Sequence, residues 1–124
     1  MTADEFNRKA RQEWLDLARE DLQVAKMSIS HEFTALRSCV FHAQQCVEKA
    51  IKTLFIAANR EIPRTHDLVR LAESTADVCD LSAQREELSW LTQWAVAGRY
   101  PGAVPGPFLA DARMAGEIAD GVFV

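Results

Sequence analysis

Residues 41–55 read FHAQQCVEKAIKTLF, and this stretch indicates the fold class of the chain most clearly. Its apolar positions belong to a longer series with steps of three and four residues, comprising Phe33, Leu36, Val40, Ala43, Val47, Ala50, Leu54 and Ala57. Such spacing places apolar side chains on one face of an α-helix. Neither proline nor glycine interrupts the series, so a long amphipathic helix is predicted here.

The same spacing appears on both sides of this segment. A first helix is predicted from Ala10, Leu15, Ala18, Leu22, Ala25 and Ile29, which follow steps of three and four after a first gap, and Thr2 and Glu5 are predicted to form a capping box at its start. After Pro63, Thr65 is the predicted N-cap of a short third helix. Ser82 is the predicted N-cap of a fourth helix.

Residues 98–107 read GRYPGAVPGP and hold three of the four prolines, so they are predicted to form a loop. A last, alanine-rich helix is expected between Phe108 and Val122. About five helices with modest connections between them predict an all-α fold. The predicted architecture is an up-and-down antiparallel bundle. The length of 124 residues predicts a single domain over residues 1–124.

Composition restricts the class of function. The formal charge of −4 argues against binding nucleic acid through the backbone phosphates alone. The N-terminus has no apolar signal-peptide core and no segment approaches membrane-spanning length, so we expect a cytoplasmic protein without a membrane partner. Three cysteines without a C-x-x-C pair predict reduced thiols. Neither a metal-ligand cluster nor a glycine-rich phosphate loop occurs, so no cofactor is expected.

A polar stripe runs along the second predicted helix. His42, Gln45, Lys49 and Lys52 share one helical face at steps of three and four residues. Two lysines, an amide and an imidazole are suited to a phosphate-bearing ligand. A solvated or dimer-facing surface also explains the same spacing, and Glu48 with Lys52 forms a favourable i,i+4 pair without any ligand.

Three other groups carry possible chemistry. Arg37 and His42 have the R-x(4)-H spacing of a metal-independent RNA-cleaving pair, yet about 140° of helical rotation separates them, so they would converge only across a subunit interface. His66 precedes a helix N-terminus that Asp67 is expected to cap. Arg99 and Tyr100, in the loop, could clamp a base and a phosphate, anchor a partner chain, or only anchor the loop.

The chain resembles the HEPN domains, small helical proteins of bacteria and archaea. The resemblance rests on WLDLAREDLQVA in the first helix, FHAQQCVEKAIKTLF in the second, THDL opening the third, RYP after the fourth, and the alanine-rich last helix. It implies a helical bundle that forms homodimers and binds a nucleotide or RNA. It also implies a minimal nucleotidyltransferase as the partner in a two-gene toxin–antitoxin pair.

Some HEPN proteins are ribonucleases with an R-x(4–6)-H motif that is expected late in the chain. Here the late Arg99 is followed by no histidine, and Gly102 stands where relatives often carry an acidic residue. We therefore expect a non-catalytic module with ligand-binding candidates His42, Gln45, Lys49, Lys52, His66, Arg99 and Tyr100. The alternative is an RNA-cleaving toxin with Arg37 and His42 as catalytic residues. The terminal sequence GVFV is expected to pack on the bundle or on a second subunit.

Overall fold

The computed structural model describes residues 1–30, 32, 34–96 and 105–123, and all regular structure in these residues is helical. The α-helices are α1 (Ala3–Met27), α2 (Leu36–Ala57), α3 (Leu68–Ser74), α4 (Arg85–Thr92) and α5 (Leu109–Gly121). Single turns of 3₁₀-helix precede and follow α4. The predicted all-α bundle of five helices is confirmed for the part of the chain that is described.

The two long helices form an antiparallel hairpin. Near the start of α1, the Asn7 side chain donates a hydrogen bond of 2.6 Å to the carbonyl of Ile56 at the end of α2. At the other end of the pair, the Ser28 hydroxyl lies 3.3 Å from that of Ser38. The two helices therefore remain side by side over almost their full lengths, which fixes the relative positions of their facing side chains.

Local hydrogen bonds determine where these helices begin and end. The predicted capping box is present, because the Thr2 hydroxyl accepts from the Glu5 N–H at 3.1 Å while the Glu5 carboxylate accepts from the Thr2 N–H at 3.0 Å. At the end of α2, Asn59 has a left-handed backbone with φ of 55°. This conformation lets the Arg60 N–H bond to the Phe55 carbonyl at 2.8 Å and closes the helix.

The predicted N-cap of α3 was wrong by two residues. Asp67, not Thr65, is the N-cap, because its carboxylate accepts hydrogen bonds from the N–H groups of Val69 and Arg70. The Thr65 hydroxyl instead accepts from the Asp67 N–H, so it supports the cap from outside the helix. The expected capping role of Asp67 is thereby confirmed.

The other boundaries also differ in detail. Ser82 caps no α-helix, because it opens the 3₁₀ turn and α4 begins at Arg85. The second helix begins at Leu36, while Phe33, where the pattern started, lies outside the described residues. Most of the predicted loop at 98–107 also lies outside them, and its last residues, 105–107, are not helical.

Helix α2 lies at the centre of the bundle and packs against α1, α3, α4 and α5. Alanines on α5 allow close approach, and the Cys39 thiol of α2 donates to the Ala112 carbonyl at 3.5 Å. Phe123 packs against the core, so the expected packing of the C-terminal residues is confirmed for Phe123. Val124 lies outside the described residues. A central helix with neighbours on several sides must bury even some of its polar residues.

Candidate functional site

A buried carboxylate on α1 holds two polar side chains of α2. One oxygen of Asp21 lies 2.9 Å from His42 Nδ1, and the other accepts a hydrogen bond of 2.6 Å from the Lys49 ammonium. Asp21 is buried, whereas His42 and Lys49 remain partly exposed at its sides. The result is a hydrogen-bonded triad across the α1–α2 contact.

The positions of these residues explain the triad. Asp21 lies three residues after Ala18 and four before Ala25, and both alanines are fully buried on the face of α1 that packs against α2. His42 and Lys49 are two turns apart on α2, about 10 Å along its axis. The Asp21 carboxylate lies between them and bridges the two turns.

A second carboxylate, that of Glu48, bonds Lys52 of the polar stripe and the His66 imidazole. Its oxygens accept from the Lys52 ammonium at 3.0 Å and lie 2.7 Å from His66 Nδ1. The predicted i,i+4 pair between Glu48 and Lys52 is thereby confirmed. Because Glu48 is buried, both partners compensate a charge that water can hardly reach.

Gln44 joins the Glu48 cluster to the segment before α3. Its side chain is fully buried and donates to the Glu48 carboxylate and to the His66 carbonyl, both at 3.2 Å. Its own carbonyl oxygen accepts from the Gln45 amide at 2.7 Å. These bonds fix the chain around His66 onto α2.

We call the assembled surface the α2 polar face. It comprises the four stripe residues of α2 and the residues that hold them, namely Asp21, His42, Gln44, Gln45, Glu48, Lys49, Lys52 and His66. Two carboxylates and two lysines make the face electrically neutral when the imidazoles are neutral. The Lys49 side chain is only 26% exposed and that of Lys52 only 12% exposed. Both ammonium groups bond carboxylates.

Both histidines of this face are oriented by a carboxylate. An ionised carboxylate can only accept, so Nδ1 of each imidazole carries the proton that the carboxylate receives. The other ring nitrogen, Nε2, is then an acceptor in the neutral ring. The His66 side chain is 63% exposed and that of His42 is 30% exposed, so both rings are accessible to a binding partner.

The structure therefore groups most of the predicted site residues but divides them into two clusters. His42 and Lys49 belong to the Asp21 cluster. Gln45, Lys52 and His66 belong to the Glu48 cluster. The remaining candidates, Arg99 and Tyr100, lie outside the described residues.

The alternative catalytic pair is not assembled within one chain. Arg37 is an exposed residue in the first turn of α2, whereas His42 turns towards α1 and bonds Asp21. The five-residue spacing separates the two side chains by about 140° around the helix. Within a single subunit, His42 Nδ1 donates its hydrogen bond to Asp21 and Arg37 takes no part in it.

Sequence reasoning missed Asp21 and Gln44 and treated Glu48 only as a surface partner of Lys52. A signal for Asp21 was present, because an aspartate at a core position between Ala18 and Ala25 requires a cationic or hydrogen-bonding partner. No comparable signal identified the partner of Asp21, since that depends on the register between α1 and α2.

The cysteines have no role in the polar face. All three thiols are free, and Cys39 and Cys46 are buried in the core. Burial raises the pKa of Cys39 to about 11 and that of Cys46 to about 12, with a further contribution at Cys46 from the negative charge of Asp21. Among the residues that the structure describes, no three His, Cys, Asp or Glu side chains gather in a metal-binding group.

Exposed apolar side chains lie beside the α2 polar face. Leu17 and Val24 are one turn before and one turn after Asp21 on α1, and Phe6 and Met27 extend the exposed set towards the ends of the helix. Apolar groups at such positions bury surface only when another molecule covers them. None of the helices within the described ranges has both the length and the apolar character needed to cross a bilayer.

Comparisons with known proteins agree with this architecture. A family model described as HEPN domain matches residues 11–123. The crystal structure of TT1696 from Thermus thermophilus is similar to the chain, with a TM-score of 0.79 and 25% sequence identity over 90% of this chain and 91% of that one. No curated protein matches the sequence.

Proposed function

The chain belongs to the HEPN domain family, and from that premise we propose that it is a non-catalytic binding module that works as a homodimer. Its α2 polar face binds a nucleotidyltransferase partner or a nucleotide, as one component of a two-gene toxin–antitoxin pair. The observation that supports binding without catalysis is the internal compensation of this face. Asp21 and Glu48 are buried and each bonds one histidine and one lysine.

Between the two ligands, the charges favour a protein partner. A nucleotide phosphate needs unpaired cations, whereas the ammonium groups of Lys49 and Lys52 already bond carboxylates within 3.0 Å. A neutral, ordered surface with protruding imidazoles and neighbouring apolar side chains is typical of protein interfaces. Nucleotide binding at this face would require Lys49 to exchange Asp21 for a phosphate.

The homodimer is proposed to form through the exposed apolar side chains of α1. Leu17 and Val24 are one heptad apart, a spacing that presents both on one side of a helix. Covering them with a second copy places the polar faces of the two subunits beside the dimer interface. In that arrangement a nucleotidyltransferase contacts both subunits.

One observation favours a second candidate function, RNA cleavage. Asp21 bonds Nδ1 of His42 and leaves Nε2 as a proton acceptor, which is the orientation a general base requires. In this alternative, Nε2 removes the proton of the RNA 2′-hydroxyl as it attacks the phosphate, and the Arg37 guanidinium of the second subunit stabilises the charge on the phosphate. The P–O5′ bond breaks to leave a 2′,3′-cyclic phosphate, and the departing 5′-oxygen takes a proton from water. The pair would then be completed only in a dimer.

Thermal unfolding of the purified chain with and without ATP, GTP and short RNA tests these functions, with the RNA followed on a gel. Saturation at 100 times the dissociation constant stabilises a protein by about 2.7 kcal/mol, which is easily detected as a melting shift. A binding module leaves the RNA intact. RNA cleavage that disappears in His42→Ala and Arg37→Ala would replace the proposed function with the ribonuclease.

A further inference from the structure

A second surface, unrelated to the α2 polar face, has the form of a receptor groove. It has a volume of about 510 Å³ and lies between α4 and α5, with α2 as its floor. Ten apolar residues line it, namely Leu15, Val47, Ala50, Ile51, Leu54, Leu81, Leu88, Ile118, Val122 and Phe123. None of the residues of the polar face contributes to this lining.

The groove exists because two helices pack on α2 without closing over it. Helix α4 has 8 residues and α5 has 13, and each contacts a different side of α2. Between them, residues 47–54 of α2 form the floor, a length of about 10 Å or two helical turns. That length matches the apolar side chains at positions i, i+3, i+4 and i+7 of an incoming helix.

The charges of the rim define the chemistry of the occupant. Glu87 on α4 and Glu117 on α5 line opposite walls, and no lysine or arginine is among the lining residues. Both glutamates are exposed, and within the described parts of the chain neither forms an ion pair. Arg19 lies near one end, 5.1 Å from the centre of the Phe123 ring. Its guanidinium also faces Asp16 at 3.9 Å. The rim is therefore acidic and repels anionic ligands.

We propose that this groove binds an amphipathic helix of a partner protein, with its apolar stripe in the groove and lysine or arginine residues at its edges. The exposed apolar stripe on α1 of a second copy is a poorer occupant. Glu13 and Glu20 flank Leu17 on that helix at steps of four and three residues and would meet the acidic rim. The binding module would thus have a second interface, which selects a cationic helix, in addition to the neutral α2 polar face.

The thiol of Cys79 provides a direct reporter of occupancy. It lines the groove and is exposed, whereas Cys39 and Cys46 are buried with pKa values raised to about 11 and about 12. A maleimide should therefore modify the folded chain at Cys79 alone. A helix that enters the groove covers Cys79 and slows this reaction.

The probe is a synthetic leucine–lysine peptide with leucine at i, i+3, i+4 and i+7, and its matched control is a leucine–glutamate peptide of the same pattern. Affinity is measured by fluorescence anisotropy, and occupancy by the rate of maleimide modification of Cys79. The lysine peptide is expected to bind saturably and to slow modification at least threefold. The glutamate peptide is expected to bind at least tenfold more weakly.

Variants of the full chain separate groove binding from general attraction to an acidic protein. We expect Val122→Ser and the double variant Glu87→Gln, Glu117→Gln each to weaken binding of the lysine peptide about 3–10-fold. The controls are Val96→Ser, at an exposed valine that does not line the groove, and the double variant Glu13→Gln, Glu20→Gln on α1, which make the same chemical changes elsewhere. These controls should bind as the unmodified chain does.

Three results would overturn the proposal. Equal loss of affinity in the groove and control variants would show non-specific electrostatic binding. Saturable protection of Cys79 by dodecyltrimethylammonium, without protection by the peptide, would assign the groove to small apolar cations. Peptide binding that leaves the Cys79 rate unchanged would place the binding site elsewhere.

Discussion

The substitution Asp21→Asn examines the cluster that joins α1 to α2. It keeps the shape of the side chain but removes the charge that holds His42 and Lys49 at 2.9 and 2.6 Å. Deleting one partner of a buried ion pair costs about 3–5 kcal/mol. The two partners are 30% and 26% exposed and can recover some hydration, and asparagine keeps an acceptor oxygen. We therefore expect a loss of about 1.5–2.5 kcal/mol in the free energy of unfolding.

Asp16→Asn is the matched control on the same helix, since the Asp16 carboxylate is 60% exposed and lies 3.9 Å from Arg19. Urea unfolding followed by circular dichroism at equal protein concentration gives both free energies, and the control should lose no more than about 0.5 kcal/mol. In a thermal scan the two variants should differ by about 5–10 °C. Equal stabilities of Asp21→Asn and Asp16→Asn would refute the assignment of a buried, energetically important cluster.

A double-mutant cycle locates the effect in the pair itself. Lys49→Met should destabilise the chain with Asp21 present and should cost less in the Asp21→Asn background. The coupling energy is expected to exceed about 1 kcal/mol, because the side chains are in direct contact. If the two losses in the free energy of unfolding were simply additive, Asp21 would stabilise the chain through contacts other than the one with Lys49.

Four further predictions concern the cysteines, the end of α2 and the exposed face of α1. Maleimide should modify one cysteine in the folded chain and three after denaturation, as counted by mass spectrometry. Because the two buried thiols hold their protons to higher pH in the folded than in the unfolded chain, the free energy of unfolding should fall as pH rises above about 9. Stability that is flat or rises between pH 8 and about 11 would contradict their burial. Asn59→Ala should be about 1 kcal/mol less stable than Asn59→Gly in urea unfolding, because glycine adopts a φ of 55° without the strain that the Cβ of alanine causes, and equal stabilities would contradict this. Leu17→Glu with Val24→Glu should convert a dimer to a monomer in light scattering while Val78→Glu does not, and a dimer that persists would place the interface elsewhere.

The long helices were predictable because their signals are local. An unbroken three–four spacing placed α2 to within a few residues, and the capping box at Thr2 and Glu5 marked the start of α1. The caps of α3 and α4 were less certain, because several serine, threonine and aspartate residues near each start compete for the same N–H groups. Asp67 prevailed at α3 because its carboxylate reaches two free N–H groups at once.

The candidate site was only half predictable, since helical spacing shows which side chains share a face but not what they meet. The spacing of His42, Gln45, Lys49 and Lys52 placed all four on one face of α2. Their division between two carboxylates depends on neighbouring elements, with α1 contributing Asp21 and the segment before α3 contributing His66. Such contacts are set by how the helices pack against one another, and a single sequence does not specify that register.

The α2 polar face is tested most directly by isothermal titration calorimetry of the chain against a purified minimal nucleotidyltransferase from the same genome. The variant is Lys49→Met, and the matched control is Lys26→Met, which removes an exposed lysine bonded to Asp120 at 2.7 Å. Circular dichroism first verifies that both variants are folded at the temperature used. We predict tight binding by the unmodified chain, at least tenfold weaker binding by Lys49→Met, equivalent to about 1.4 kcal/mol, and unchanged binding by Lys26→Met. Equal affinities for all three chains, or no binding by the unmodified chain, would contradict the proposed partner-binding role of this face.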